Sequence, residues 1–362
     1  MELKKQNILM FPRTMGLGGT EGVVLQLCRI LQPKVGKIVV CSSGGVHEAK
    51  LKEMGIPHYT IPDIEKKSPQ TILKVLTAVS GIIRKEKITV VHTHHRMAAF
   101  YTRLLRLFHR ITPVNTSHNT FTDKRALTRF ALSGSHLIAC GEMVKKNLVD
   151  AYGIHADRVT VIHNAVEPFT GELHPDEVFS ALRQAGYALV GNVGRLSEQK
   201  GMEYFLRSLP AVKAAHPNVK YIVIGDGEDR AKLEALIDEL NIREDVRFLG
   251  YRSDIRNVMS QMDLLVLSSL WEGLPLTPIE AFSMGKTVVG TAVDGTVEVI
   301  DHEKNGLLIP ARDPAAIAEG VLRLLADIPL RKQFEENALK TFHEEFSFDI
   351  YARRVEAFYT GL

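Results

Sequence analysis

Short apolar runs alternate with longer segments of helical period along the whole chain. Asn7-Ile-Leu-Met-Phe11 reads as a strand, followed by a glycine-rich turn and a helix from about Thr20 to Leu31. Lys37–Cys41, Ile88–His92, Thr112–Thr116 and His136–Cys140 continue the series, with helical stretches between most of them. A second series follows Val166: Ala188–Val193, Tyr221–Ile224, Val246–Leu249, Leu264–Leu267, Thr287–Val289 and Gly306–Ile309. Helices of 3.6-residue period are predicted between several of these, as at Arg230–Leu240 and Pro314–Ile328. Short β-rich runs separated by helices predict parallel sheets covered on both faces. Periodicity lapses from Asn164 to Pro175, where Pro168, Gly171 and Pro175 intervene. The expected fold is therefore α/β, with two Rossmann-like doubly wound domains, residues 1–165 and 166–345, facing a central cleft. The last helical segment, within 346–362, is expected to join the first domain. Ligands of such sheets sit beyond the carboxyl ends of the strands.

One segment beyond such a strand end carries the clearest chemistry. Glu272-Gly-Leu-Pro-Leu-Thr-Pro-Ile-Glu280 follows the run Asp263-Leu-Leu-Val-Leu-Ser-Ser. Thr277-Pro278 reads as the cap and first position of a helix carrying Ile279, Ala281, Phe282 and Met284, stopped at Gly285. That reading sets Glu272 on the loop and Glu280 in the first turn. A helix start attracts anions such as a diphosphate, and carboxylates beside it accept hydrogen bonds from sugar hydroxyls. A glutamate near a helix start is also ordinary dipole complementation.

The 362 residues suffice for two domains and are 45% hydrophobic, as in a water-soluble globular protein. No apolar stretch approaches the length that crosses a bilayer. The start, Met1-Glu-Leu-Lys-Lys-Gln, runs straight into a strand, so no signal peptide is expected. Cys28, Cys41 and Cys140 lack metal-like spacing and read as reduced core thiols of a cytoplasmic protein. The net charge of +3 hides an asymmetry: residues 1–165 hold 24 of the 45 basic and 11 of the 42 acidic residues, leaving 21 and 31 in the remainder. A basic half joined to an acidic half implies that one half meets an anionic partner.

Gly16-Leu-Gly18-Gly19-Thr-Glu21 resembles a dinucleotide fingerprint with Glu21 in place of the third glycine. Gly225-Asp-Gly227 departs likewise, with Arg230 in that place. Neither supports a dinucleotide cofactor, although Gly18 and Gly19 would offer N–H groups to a phosphate or sugar; a plain βα turn is the alternative. Asn192-Val-Gly-Arg195-Leu-Ser-Glu-Gln-Lys200-Gly201 opens the helix predicted at Met202–Leu209. Arg195 and Lys200 there would neutralise diphosphate oxygens, or else belong to a solvated surface loop. His92, His94 and His95 cluster after the Ile88 strand, with no carboxylate at metal-binding spacing, and are read as cleft-lining or acceptor-side residues.

Taken together, Gly-Gly-Thr-Glu, Gly-Arg-Leu…Gln-Lys-Gly, Ile-Gly-Asp-Gly, Phe-Leu-Gly-Tyr, Glu-Gly-Leu-Pro-Leu…Glu and Asn305-Gly-Leu-Leu-Ile-Pro310 resemble the retaining nucleotide-sugar glycosyltransferases of family 4, which have the GT-B fold. The resemblance spans nearly the whole chain and is tightest in its second half. It implies a hexosyltransferase using a nucleotide-sugar co-substrate, by family habit a UDP-sugar, and needing no metal. Glu280 would bind ribose hydroxyls, and Glu272 the transferred sugar. Arg195 and Lys200 would grip the diphosphate, with Gly273, Leu274, Pro275 and Leu276 covering it and Gly18 and Gly19 assisting. The base would lie near Gly250, Tyr251 and Arg252. His118, in Asn115-Thr-Ser-His118-Asn, resembles the family's histidine near the anomeric centre; the alternative is a loop or capping histidine. At the domain junction, Asn164-Ala-Val-Glu167 departs from the family's Asn-Gly-Val-Asp.

On the acceptor side, Ala99–Arg110 reads as a basic amphipathic helix. Phe100, Leu104, Leu107 and Phe108 share one face, and Arg103, Arg106 and Arg110 another. Such a helix lies on anionic lipid, or packs on a core with a solvated basic side. The expectation is a cytoplasmic enzyme peripheral to the inner membrane face, with a lipid-linked or polysaccharide acceptor. No nucleic-acid motif accompanies the charge. A sugar-nucleotide epimerase or hydrolase, and a non-catalytic nucleotide-sugar sensor, are the competing readings.

Overall fold

The computed structural model describes residues 3–66, 68–167, 169 and 172–362. Met1, Glu2, Pro168 and Gly171, which entered the reading of the start and of the junction, lie outside the described residues. The chain divides into two compact units, Met1–Asn164 with Tyr351–Leu362, and Ala165–Ile350.

The first unit holds β1 (Asn7–Phe11), β2 (Lys37–Ser42), β3 (His58–Thr60), β4 (Val90–Thr93), β5 (Thr112–Ser117), β6 (His136–Ala139) and β7 (Val159–Val161). They pair in the order β3-β2-β1-β4-β5-β6-β7, every pair parallel. Strands buried on both faces read as unbroken apolar runs, which is why the central ones stand out in sequence. β4 begins two residues later than expected. The Ile88 N–H bonds to the Ile83 carbonyl at 2.9 Å, and Lys87 takes φ 51°, so both close the preceding helix. The core joins Leu9, Val39, Val91 and Tyr101 to Val75, Val79 and Ile83 of the helix Pro69–Lys85. The helix Phe348–Thr360 contributes its buried Tyr351, Val355 and Tyr359.

The second unit holds β8 (Ala188–Val193), β9 (Val219–Ile224), β10 (Val246–Gly250), β11 (Leu264–Leu267), β12 (Val288–Thr291) and β13 (Gly306–Ile309). Their order, β10-β9-β8-β11-β12-β13, again all parallel, is the doubly wound arrangement. Its switch point lies between β8 and β11, which are followed by the loops of Arg195–Lys200 and of Glu272. The helix expected over Pro314–Ile328 ends at Ala326. Asp327 then caps a new helix, Ile328–Thr341, accepting from the Leu330 N–H at 2.9 Å, with Pro329 in its first turn.

Two further expectations are corrected. The helix after Glu272 runs Leu276–Ser283 with Pro275 at its cap, so it starts ahead of Thr277-Pro278 and Glu280 stands in its second turn. The basic helix runs Arg96–Leu105 and does not reach Arg110. Its Met97, Ala98, Tyr101 and Leu105 face the core, and Phe100 packs against that core. Leu107 and Phe108, 75% and 78% exposed, project from the turn after the helix and share no helical face with Phe100 and Leu104.

Candidate functional site

In the second unit, the turns at the carboxyl ends of β8, β9 and β11 are fastened together through backbone. A Cβ on Gly225, whose φ is +132°, would lie 1.9 Å from the Gly194 carbonyl oxygen, and one on Gly227 would lie 2.3 Å from that of Leu196. These close approaches account for Gly225-Asp-Gly227 without any cofactor. On the other side, a Cβ on Gly201 (φ +56°) would lie 2.3 Å from the Ser268 carbonyl oxygen. The Leu270 N–H bonds to the Gln199 carbonyl at 2.7 Å, and the Ser268 hydroxyl donates to the Lys200 carbonyl at 2.9 Å. Gly295 in turn presses on the Gly273 carbonyl, where a Cβ would approach to 1.9 Å. The Lys200 loop and the Glu272 loop are thus built as one framework.

That framework brings Lys200, Glu272 and Glu280 together. Lys200 Nζ lies 2.5 Å from Glu272 Oε1, and the Ser269 hydroxyl donates to the same oxygen at 2.6 Å. Their side chains are 19% and 7% exposed. The lysine stem passes beside Gly194, where a Cβ would stand 3.4–3.5 Å from it. Glu280 is different: it is half-buried, and its carboxyl has no hydrogen-bond partner among the described residues. Desolvation pushes it up to about 7, against the opposing pull of Arg256 and Lys200. Pro275, extended at φ −70°, gives the helix Leu276–Ser283 no side-chain cap, so the first-turn N–H groups carry no protein anion from the cap position.

The remaining residues named from sequence are dispersed around this centre. Arg195 is 72% exposed and pairs with Glu228 at 3.0 Å. Gly250 takes φ +66° and Tyr251 is exposed. Arg252 is held by Asp254 at 2.7 Å and Asp176 at 3.2 Å, which raises its basicity further and ties β10 to the next helix start. Gly273, Leu274 and Pro275 are buried and Leu276 is half-buried. Sequence reasoning missed Arg256, which donates to the Glu167 carbonyl at 2.6 Å and acts electrostatically on Glu280. It also missed Ser269. Neither carries a signal in a single sequence, because both act through tertiary proximity.

In the first unit, a pocket of about 390 Å³ lies over the carboxyl ends of β4 and β5, lined by His94, His95, Arg96, Asn115, Ser117 and His118 among others. His118 is half-buried, and burial lowers it to about 4. Arg96 is tied to Asp123 by two bonds of 2.7 and 3.2 Å, and His95 meets Glu65 at 3.2 Å. His92 corrects the cleft-lining reading: it is fully buried beneath the pocket, bonded to Tyr359 and Thr116. Gly18 caps the helix Gly19–Leu31 without a side-chain bond. Glu21 folds back over it, its carboxylate accepting from Thr14 at 2.6 Å and lying where a Cβ on Gly18 would come within 2.5 Å. A carboxylate, not an open N–H cradle, faces that glycine turn. Arg103 and Arg106 flank Gly134, with Arg106 donating to its carbonyl at 3.1 Å, while Arg110 is exposed. The three cysteines are buried and unpaired by disulfides. Among the described residues, no three His, Cys, Asp or Glu side chains converge as a metal site, and no helix is long and apolar enough to cross a membrane.

Residues 175–341 match the family of glycosyl transferases group 1, and residues 17–168 match glycosyltransferase family 4. An uncharacterised glycosyltransferase of Methanocaldococcus jannaschii is 30% identical over 294 residues, 75% of each chain. The UDP-Gal:α-D-GlcNAc-diphosphoundecaprenol α-1,3-galactosyltransferase of Escherichia coli is 26% identical over 275 residues, 70% of this chain and 71% of that one. The crystal structure of Anabaena HepE in complex with UDP-glucose superposes with a TM-score of 0.87 at 21% identity, covering 98% of this chain and 100% of that one.

Proposed function

The chain belongs to the group 1 (family 4) glycosyltransferases of GT-B fold, and from that premise we propose that it moves a hexose from a UDP-sugar to a lipid-linked or polysaccharide acceptor with retention of configuration. The observation that carries this reading is Glu280. A half-buried carboxyl whose ionisation is opposed by desolvation and which no protein donor meets, beside a lysine–glutamate pair and an uncapped helix start, is unfavourable in the empty protein. It becomes favourable when a vicinal diol donates to the carboxylate and a diphosphate meets Lys200 and the helix start.

In this assignment Glu280 takes the ribose hydroxyls, Glu272 the transferred sugar, and Lys200 the diphosphate. Because Lys200 already holds Glu272, sugar and phosphate are located by a single rigid pair. Arg195 exchanges Glu228 for the diphosphate; an exposed ion pair is worth only ~0–1 kcal/mol, so the exchange is cheap. The C1–O bond to the β-phosphate breaks while the acceptor oxygen bonds C1 on the same face, and the acceptor proton passes to the departing phosphate oxygen. The protein supplies positioning and charge stabilisation, with no covalent carboxylate intermediate. His118, Asn115 and Arg96 serve the acceptor side. The Escherichia coli relative's name, with a UDP-sugar donor and a lipid diphosphate acceptor, supports this choice of substrates.

Contact with an anionic membrane is proposed for the patch of Leu107, Phe108, Phe130, Arg103 and Arg110, apolar side chains exposed among cations. Sedimentation with anionic vesicles at low salt tests it; protein left in the supernatant rejects it. The transfer reading is tested by UDP release from a panel of UDP-sugars with polyprenyl-diphosphate sugars as acceptors. Acceptor-dependent release with a new glycoside is expected. Release without acceptor would favour a hydrolase, an isomerised donor an epimerase, and tight binding without release a sensor.

A further inference from the structure

Three imidazoles run together at the pocket of the first unit, His94 and His118 in its lining and His92 beneath. His92 and His94 lie with centroids 4.4 Å apart and planes at 26°, and His94 and His118 lie at 5.4 Å and 23°. The lowest ring is locked at both nitrogens: His92 Nδ1 meets the Tyr359 hydroxyl at 2.6 Å, and Nε2 meets the Thr116 hydroxyl at 2.7 Å. The upper two are linked edge to edge, His94 Nδ1 to His118 Nε2 at 3.1 Å. His94 Nε2 is fully buried and meets no partner among the described residues.

A neutral imidazole carries a single N–H, so the His94–His118 bond admits two arrangements. If His118 donated, His94 would bear its proton on Nε2, as a buried N–H with nothing to receive it. If His94 donates from Nδ1, its buried Nε2 is a bare lone pair. In the backbone, orphaned buried N–H groups are rarer than under-satisfied carbonyls; by the same ordering the second arrangement is favoured, since it leaves a bare lone pair and no orphaned N–H. Burial holds all three rings neutral, helped at His92 and His94 by the neighbouring histidines, so neither ring of the linked pair carries protons on both nitrogens.

We infer that His94 fixes His118 as the Nδ1–H tautomer, so that the ring offers the pocket a hydrogen-bond donor and no basic lone pair. His94 is a positioning residue, and His92, Thr116 and Tyr359 hold it in register. The inference rests on the glycosyl-transfer reading only in the ligand it implies: His118 donates to a sugar hydroxyl or ether oxygen and does not remove the acceptor's proton. That fits a transfer in which the leaving phosphate takes the proton.

The test is the protonation pattern of histidine in the ¹⁵N-histidine-labelled full chain, read without ligand at neutral pH from two-bond ¹H–¹⁵N correlations. These separate protonated from bare ring nitrogens. The expected pattern is a protonated Nδ1 and bare Nε2 on His118, with a protonated Nδ1 on His94. A His118 proton on Nε2, or a mixture of forms, overturns the inference. In His94→Phe, His118 should relax to a mixture, whereas His94→Asn, which keeps an N–H near the Nδ1 position, should preserve the single form; an unchanged His118 in His94→Phe overturns the role of His94. His118→Asn retains a donor at the Nδ1 position and His118→Gln does not, so kcat/KM should favour the first by about tenfold. Equal activity of the two overturns the donor role. Failure of the transfer reading itself shows separately, as absent UDP release by the wild type.

Discussion

Replacing Glu280 with Gln should make the free protein more stable and its donor binding weaker, with both effects growing as pH rises. The carboxyl is raised from an ordinary 4.5 to about 7, chiefly by desolvation. Below about pH 4.5 the group is protonated in folded and unfolded chains alike and costs nothing. Between 4.5 and 7 the unfolded chain releases its proton and the folded one keeps it, so stability falls with rising pH. Above 7 both are ionised and the full penalty stands. At 1.36 kcal/mol per pH unit, the displacement corresponds to at most about 3 kcal/mol. Glutamine imitates the protonated form and avoids that penalty. For a unit of this size, about 3 kcal/mol corresponds to a rise of roughly 6–12 °C in Tm at pH 8, shrinking to roughly 2–3 °C at pH 5 and vanishing below about pH 4. UDP binding should move oppositely. Wild-type affinity should rise about tenfold from pH 6 to pH 8 as the carboxyl ionises, and the variant's should stay flat. Thermal melts and titration calorimetry across pH 5–9 measure both. A Gln variant no more stable than wild type at pH 8, or a wild-type UDP affinity independent of pH, would refute the reasoning.

Four other substitutions probe the two units. Lys200→Met strips Glu272 of its cation and should cost ~2–3 kcal/mol, below the usual range for a broken buried pair because the lysine is partly exposed; transfer should fall at least about a hundredfold. Wild-type turnover in that variant would remove Lys200 from the site. Gly225→Ala forces a Cβ into the Gly194 carbonyl at a φ of +132° and should cost roughly 3 kcal/mol or more, read by urea denaturation. Gly250→Ala, with open space around the added methyl, should cost about 1 kcal/mol, and equal losses would show that packing is not the cause. Tyr359→Phe leaves the buried His92 Nδ1 unpaired and should destabilise the first unit by about 1–3 kcal/mol in the same measurement, unaltered stability counting against that bond.

The two parallel sheets were legible because their central strands are runs such as Ile8–Phe11 and Leu264–Leu267, apolar on both faces. The edge strands β3 and β7, three residues each, have no such run and went unseen. Pairing a single neighbour, they need no continuous apolar stretch. The start of the helix Leu276–Ser283 was misplaced because Thr277-Pro278 has the chemistry of a cap, yet the extended Pro275 supplies the turn. Leu107 and Phe108 fit a helical period that the chain abandons at Leu105, and period alone cannot show where a helix ends. At the site, Glu272, Glu280 and Lys200 could be named because they sit in recognisable segments. Their mutual arrangement, the isolation of Glu280 and the tautomeric link between His94 and His118 depend on residues far apart in sequence.

The return of Phe348–Thr360 to the first unit has a consequence for biosynthesis. His92 and Tyr359 are separated by 267 positions, and the whole of Ala165–Ile350 lies between the two stretches that make up that unit. During synthesis the first unit's sheet emerges early but lacks the helix Phe348–Thr360 until all of Ala165–Ile350 has been made, leaving apolar surface for chaperones to shield. A chain cut between Ile350 and Tyr359 would keep every residue proposed to hold the donor and still leave the other unit unfinished.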